Sequence, residues 1–259
     1  MLKILLLLIS SFIINNSVLR NSILTIASNT TAVIFLILSI PIVTFHPHWS
    51  IIISLFLATL IYSEIIGLYK NHMIKLRILK TGLITGGIIV LNNYFAPLYI
   101  VIIISLIYYQ RFNLQYFLIQ LLGLSYPFFF LYSSIFLGYI DATEYKLFHL
   151  IRHNYSDISQ YKIFIIVVVG LFTISIKELY VNFYKKKEIA KKGFYILFLI
   201  LFLNIVYAIC FQRIDYLYFL IIPFSIIISN YLIYLKSAKF RTFLLGLLLI
   251  SFIINLIYL

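Results

Sequence analysis

The chain has 259 residues, 64% of them hydrophobic and only 10% charged, with a mean hydropathy of +1.10. A soluble domain carries roughly 25% charged residues, so no water-facing core of this length hides so much apolar surface, and the solvent for most of the chain is lipid. The formal charge of +13, from 20 basic and 7 acidic residues, gathers between apolar runs and so reads as loops against anionic headgroups, not as a surface for nucleic acid.

Lipid offers the backbone no partners, and the apolar runs show no period-2 alternation, so the predicted fold class is all-α: a polytopic transmembrane helical bundle. About ten hydrophobic segments are read, within a range of 8–12: 2–14, 31–45, 49–69, 81–92, 96–109, 114–140, 161–183, 193–210, 215–235 and 240–258. Roughly 20 helical residues cross a bilayer. The third, sixth, seventh, ninth and tenth segments reach about that length; the first, second, fourth and fifth are short and the eighth is marginal. The pair 81–92 and 96–109, joined at Asn92-Asn93-Tyr94-Phe95, is a possible half-membrane hairpin spanning 81–109. The longest polar loop, 141–160, is too short to build a core, so residues 1–259 are expected to form a single integral membrane domain with no soluble domain.

Alternating crossings place Arg20, the cluster Lys70–Lys80, Arg111, the lysines between 177 and 192, and Lys236, Lys239 and Arg241 on one side, 15 of the 20 basic residues. The positive-inside rule then assigns that side to the cytoplasm of a multi-pass inner (plasma) membrane protein, with loop 141–160 periplasmic. Lys3 before a short apolar run resembles a signal-peptide start, which prefers the opposite orientation, but no A-x-A cleavage site follows. Segment 2–14 is therefore read as retained.

Intramembrane ionisable groups are the first place to look for chemistry, because a charge in hydrocarbon is expensive. Glu64 is the one carboxylate well inside a segment, and two readings are open: an ion pair with Arg77 or Lys80 at the rim, or part of a relay. His46-Pro47-His48-Trp49 forms an outward turn; the two histidines could join a polar site, while Trp49 is an ordinary interfacial anchor. In 141–160, His149 and His153 stand at i, i+4 without the glutamate of a zincin motif, so an amphipathic interfacial helix over 144–153 is the plainer reading. In Gln212-Arg213-Ile214-Asp215-Tyr216, an arginine beside an acid could hold a phosphate and polarise a hydroxyl, or form a rim ion pair worth little. Arg213, Asp215, His149, His46 and His48 are thus the weak catalytic candidates. No nucleotide-binding loop, nucleophile elbow or cysteine cluster is present, so no cofactor or metal is expected, and the single Cys210 excludes an intrachain disulfide.

Other features read as structural. Gly82-x-x-x-Gly86-Gly87 allows close helix approach, Pro127 and Pro223 should kink long segments, and Asn204, Asn230 and Asn255 are candidates for interhelical hydrogen bonds.

Over most of residues 31–259 the order of features resembles an uncharacterised family of small polytopic inner-membrane proteins of Bacteroidota. The resemblance rests on the short segment before 49–69, the basic linker Lys70–Lys80, the short pair 81–109, the 114–140 segment with Gly123 and Pro127, and the stretch from Arg213 to Pro223. It implies a fold but no activity. The same closing stretch and the short central pair are more faintly similar to polymerases that join lipid-linked oligosaccharides, although Asn93-Tyr94-Phe95 stands where those enzymes often carry an outward histidine. Three functions are weighed: a non-catalytic accessory subunit of a bacterial envelope membrane complex, an outward-facing enzyme acting on a lipid-linked glycan, and a small transporter. The expected partners are membrane lipids and other membrane proteins, with a lipid-linked substrate in the second case and no nucleic acid in any. Whether the chain is an enzyme stays open.

Overall fold

The structure, a computed structural model, describes residues 2–24, 26–45, 49–70, 73–92, 95–139, 162–211 and 214–257. Among them are α1 (Leu2–Arg20), α2 (Thr30–Phe45), α3 (Trp49–Ile66), α4 (Ile74–Leu91), α5 (Leu98–Tyr108), α6 (Leu114–Phe136), α7 (Lys162–Asn182), α8 (Glu188–Phe211), α9 (Ile221–Tyr234) and α10 (Ala238–Ile257). No strand occurs among the described residues. Six helices are long and apolar enough to cross a bilayer, and the chain is a multi-pass integral membrane protein with an all-α bundle fold.

Each predicted segment corresponds to a helix, but several helices outrun their apolar stretch. α1 continues past Ile14 to Arg20, and its polar continuation turns inward, with Asn15 and Ser17 buried. The Asn15 amide donates to Asn29 Oδ1 at 3.1 Å, which lowers the cost of that burial. α4 begins at Ile74, so the expected basic linker is mostly the first two turns of a helix of 18 residues. The first arm of the 81–109 pair is therefore the apolar end of a longer helix whose first turns are charged. The second arm is short: α5 has 11 residues, about 16 Å at 1.5 Å per residue.

Neighbours follow a row: α6 on α4, α4 on α3, α3 on α1, α1 on α2, α2 on α9, α9 on α7 and α7 on α10. Off this row, α5 packs on α8 and α4, and α8 packs on α9 and the 3-10 segment before it. α9 is the most enclosed element, buried almost throughout from Ile221 to Ile233. It meets α2 through a Thr31–Ser229 hydroxyl pair at 3.0 Å and α7 through stacked Phe172 and Phe224 rings. Pro223 falls in its first turn, where the missing N–H is one that has no intrahelical partner in any case. The expected break in 215–235 therefore takes the form of a 3-10 segment, Ile214–Leu220, leading into a shorter α-helix.

Lipid has no hydrophobic preference for helix over acyl chain, so association depends on close packing. α4 and α6 achieve it at three glycines. A Cβ on Gly82 would strike the Gln120 carbonyl oxygen, one on Gly86 would lie 2.5 Å from the Leu124 oxygen, and one on Gly123 would lie 2.5 Å from the Leu79 oxygen. Buried hydroxyls are mostly silenced within their own helix. Ser10, Thr59, Thr81, Thr85, Ser105 and Ser175, for example, each donate to a carbonyl three or four residues back at 2.6–2.8 Å. Asn204 likewise donates within its own helix, to the Ile200 carbonyl at 2.7 Å.

Candidate functional site

The described polar side chains with unusual surroundings concentrate at one end of the bundle. Cross-contacts join the turns that bear the basic residues. Lys70 donates to the Arg20 carbonyl at 3.3 Å, Tyr108 at the end of α5 meets Tyr195 on α8, and Lys186 reaches α9. The other end is joined by Lys3 lying 5.3 Å from the Trp49 ring centre, by Phe95 against Phe219 and by Phe164 against Phe252. The alternation read from charge is therefore reproduced as two distinct ends.

Glu64, three residues before the 3-10 turn that follows α3, accepts a hydrogen bond from Arg77 at 2.9 Å and lies 4.0 Å from Lys80 Nζ. Gly67 makes the contact possible, since a Cβ there would run into the Arg77 guanidinium. Of the two readings of Glu64, the structure realises the ion pair. Both side chains are partly buried, so the pair is screened less than a surface bridge while its charges keep part of their hydration.

Lys186 follows the 3-10 turn Phe183–Lys185 and folds inward. Its ammonium donates to Asn230 Oδ1 at 2.5 Å and stands 4.2 Å from the Tyr234 ring centre and 5.5 Å from that of Phe194. Burial pushes the Lys186 ammonium below its ordinary value of 10.5, with Tyr234 and Glu178 acting in the opposite direction. Asn230 is almost fully buried, and its amide nitrogen has no partner. Nothing in the local sequence marks Lys186 among its neighbouring lysines, but the expectation that Asn230 bridges elements holds.

Two further buried polar groups stand away from the charges. Gln120, at the α4–α6 seam, has neither amide atom hydrogen-bonded, and the Tyr62 hydroxyl is also unpaired. Tyr62 lines a small pocket, with room for little more than a water molecule, whose walls come from Ala58–Ile65 of α3, Leu98 and Val101 of α5, Ile200 of α8, and Phe219 and Ile222 at the entry to α9. The lining is otherwise apolar, and sequence reasoning missed it because its walls come from four separate segments.

His46, His48, His149, Arg213 and the loop 141–160 lie outside the described residues, and of Asp215 only the backbone is described, in the 3-10 segment Ile214–Leu220. Trp49 opens α3 and is part exposed, as an interfacial anchor is. Comparison with protein-family models, with curated proteins and with solved structures finds no match for the chain.

Proposed function

We propose that the chain is a non-catalytic component, an accessory subunit, of a bacterial envelope membrane complex in the inner membrane, akin to the small polytopic proteins of Bacteroidota that it resembles. Its basic end faces the cytoplasm, and residues 141–160 face outward. The observation that carries this reading is α6. The helix is tied to the bundle by its glycine seam to α4, while Leu118, Leu122, Tyr126, Phe129 and Phe130 are exposed along its outer face. A second feature supports it: every Asp, Glu, Lys and Arg in the described helices lies within the last few turns of a helix end. No series of charges crosses mid-depth, as an ion or proton pathway would require.

The test is a photo-crosslinking residue at Phe129, with one at Ile166 on exposed α7 as control, followed by purification from native membranes in mild detergent. A single membrane protein crosslinked at 129, and co-purifying at a fixed ratio, is expected. A monodisperse chain crosslinked only to lipid at both positions would rule the reading out.

A second reading, an outward-facing glycosyltransferase- or polymerase-like enzyme acting on a lipid-linked glycan, has the pocket in its favour. Phe219 lies in its wall four residues after Asp215, so the pocket borders, in sequence, the Arg213–Asp215 pair that this reading needs. Loss of glycan transfer in Arg213→Gln and Asp215→Asn, with the protein still folded, would favour it over the first reading.

A further inference from the structure

The turns at the basic end are unequal. Between α3 and α4 the cations meet a carboxylate, because Glu64 takes Arg77 and approaches Lys80. The α7–α8 turn is different: it carries Lys185, Lys186, Lys187, Lys191 and Lys192 against Glu188, which is engaged with Lys191 at 3.0 Å. The α9–α10 turn adds Lys236, Lys239 and Arg241 with no acid.

The fold brings these two turns together. α9 and α10 both pack on α7, and Lys186 fastens the first turn to the end of α9 through Asn230 and Tyr234. The two turns together carry eight basic residues, with Glu188 and, near the end of α7, Glu178 as the acids at hand, and an excess of that kind calls for an anion from outside. The flanks suit a lipid headgroup. Tyr180 on α7, Tyr184 in the 3-10 turn after it, and Phe240 and Phe243 on α10 are exposed at this end, the pattern of side chains that sit at headgroup depth. Lys177, exposed one and a half turns deeper on α7, is placed to snorkel to the same level.

We propose that the paired α7–α8 and α9–α10 turns form a binding site for an anionic phospholipid, selective for a headgroup bearing two phosphates over one bearing a single phosphate. Two cationic turns joined through Lys186 offer one cluster to each of two phosphates on one headgroup. The site does not depend on the accessory-subunit reading, since a lipid can occupy it whether or not the chain has protein partners.

The experiment uses the full chain in detergent, titrated with a two-phosphate lipid of the cardiolipin type, a one-phosphate anionic lipid and a zwitterionic lipid, with binding read by native mass spectrometry. The two-phosphate lipid is expected to bind tightest and the zwitterionic lipid weakest. Replacing the exposed Lys185 and Lys187 and the half-buried Lys192 with Gln should weaken two-phosphate binding by about tenfold or more, and Arg at the same positions should restore it. Removing Lys70, Lys75 and Lys80 in the same way should have little effect. Equal weakening by the two triple variants would mean diffuse attraction and overturn the site. So would equal binding of the zwitterionic lipid, no preference for two phosphates over one, or competition by inorganic pyrophosphate at the affinity of the lipid.

Discussion

Glu64 and Lys186 are both charged groups drawn partly into the protein, and their surroundings assign them different behaviour. For Glu64 the decisive neighbour is Arg77, 2.9 Å away. Removing Glu64 leaves Arg77 without its carboxylate, and removing Arg77 leaves Glu64 only the more distant Lys80, so Glu64→Gln and Arg77→Gln should each destabilise by about 1 kcal/mol, and the double variant by less than the sum. Thermal unfolding in detergent across this cycle measures the coupling; strictly additive losses would mean that the pair contributes nothing. For Lys186 the decisive factor is lost hydration, which lowers its pKa on folding. Between that lowered value and 10.5 the unfolded chain keeps a proton that the folded chain has released, so stability rises with pH through this window. Unfolding midpoints measured from neutral pH to about 10.5 should climb in the parent relative to Lys186→Met. Parallel curves would show that burial does not perturb this lysine.

At the scale of elements, the α4–α6 seam shows why a glycine matters only where something stands opposite it. Gly82 and Gly87 belong to the same motif, yet a Cβ at 82 meets backbone atoms of α6 and one at 87 meets nothing within 4 Å. Gly82→Ala should therefore force the helices apart and cost about 1–3 kcal/mol. Gly87→Ala should raise stability by about 0.5–1 kcal/mol through helix propensity alone. Opposite shifts in the unfolding midpoint are the expected result, and shifts of the same sign would contradict the seam. Helix caps explain why segment ends were misjudged by several residues. Ser22, Gln110 and Gly138 adopt positive φ, and the amide of the next residue in each case bonds the carbonyl five residues back, as Ile23 does to Val18, Arg111 to Leu106 and Tyr139 to Ser134. Such Schellman ends satisfy the last carbonyls, and a hydropathy profile carries no trace of them.

For the whole molecule, the two ends of the bundle define a direction that can be tested without knowing any activity. In a Cys210→Ser background, Tyr139→Cys beside the outward loop should react with an impermeant maleimide added to intact cells. Lys187→Cys at the basic end should react only after the membrane is permeabilised. Reversed labelling would invert the proposed orientation while leaving the fold untouched, because helix packing has no knowledge of which side is the cytoplasm.

The all-α membrane class, the ten segments and the clustering of cations between alternate pairs were legible in the residues alone. Each follows from a local constraint: lipid forces backbone pairing within a segment, bilayer thickness sets its length, and charge stays out of hydrocarbon. The partner of Glu64 was within reach for a similar reason, since Arg77 is 13 residues away across a single turn. Tertiary structure alone decided which glycines touch a neighbour, that Asn15 and Ser17 face inward, that Lys186 leaves its turn to meet Asn230, and that four segments enclose a small pocket beside Tyr62. These depend on contacts between residues far apart in the chain, as with Lys186 and Asn230, 44 positions apart. Helices equally apolar on every side carry no stripe to say which face meets which neighbour. The paired lysine turns belong to both levels: their charge is written in the sequence, and their adjacency exists only because α9 and α10 pack on α7.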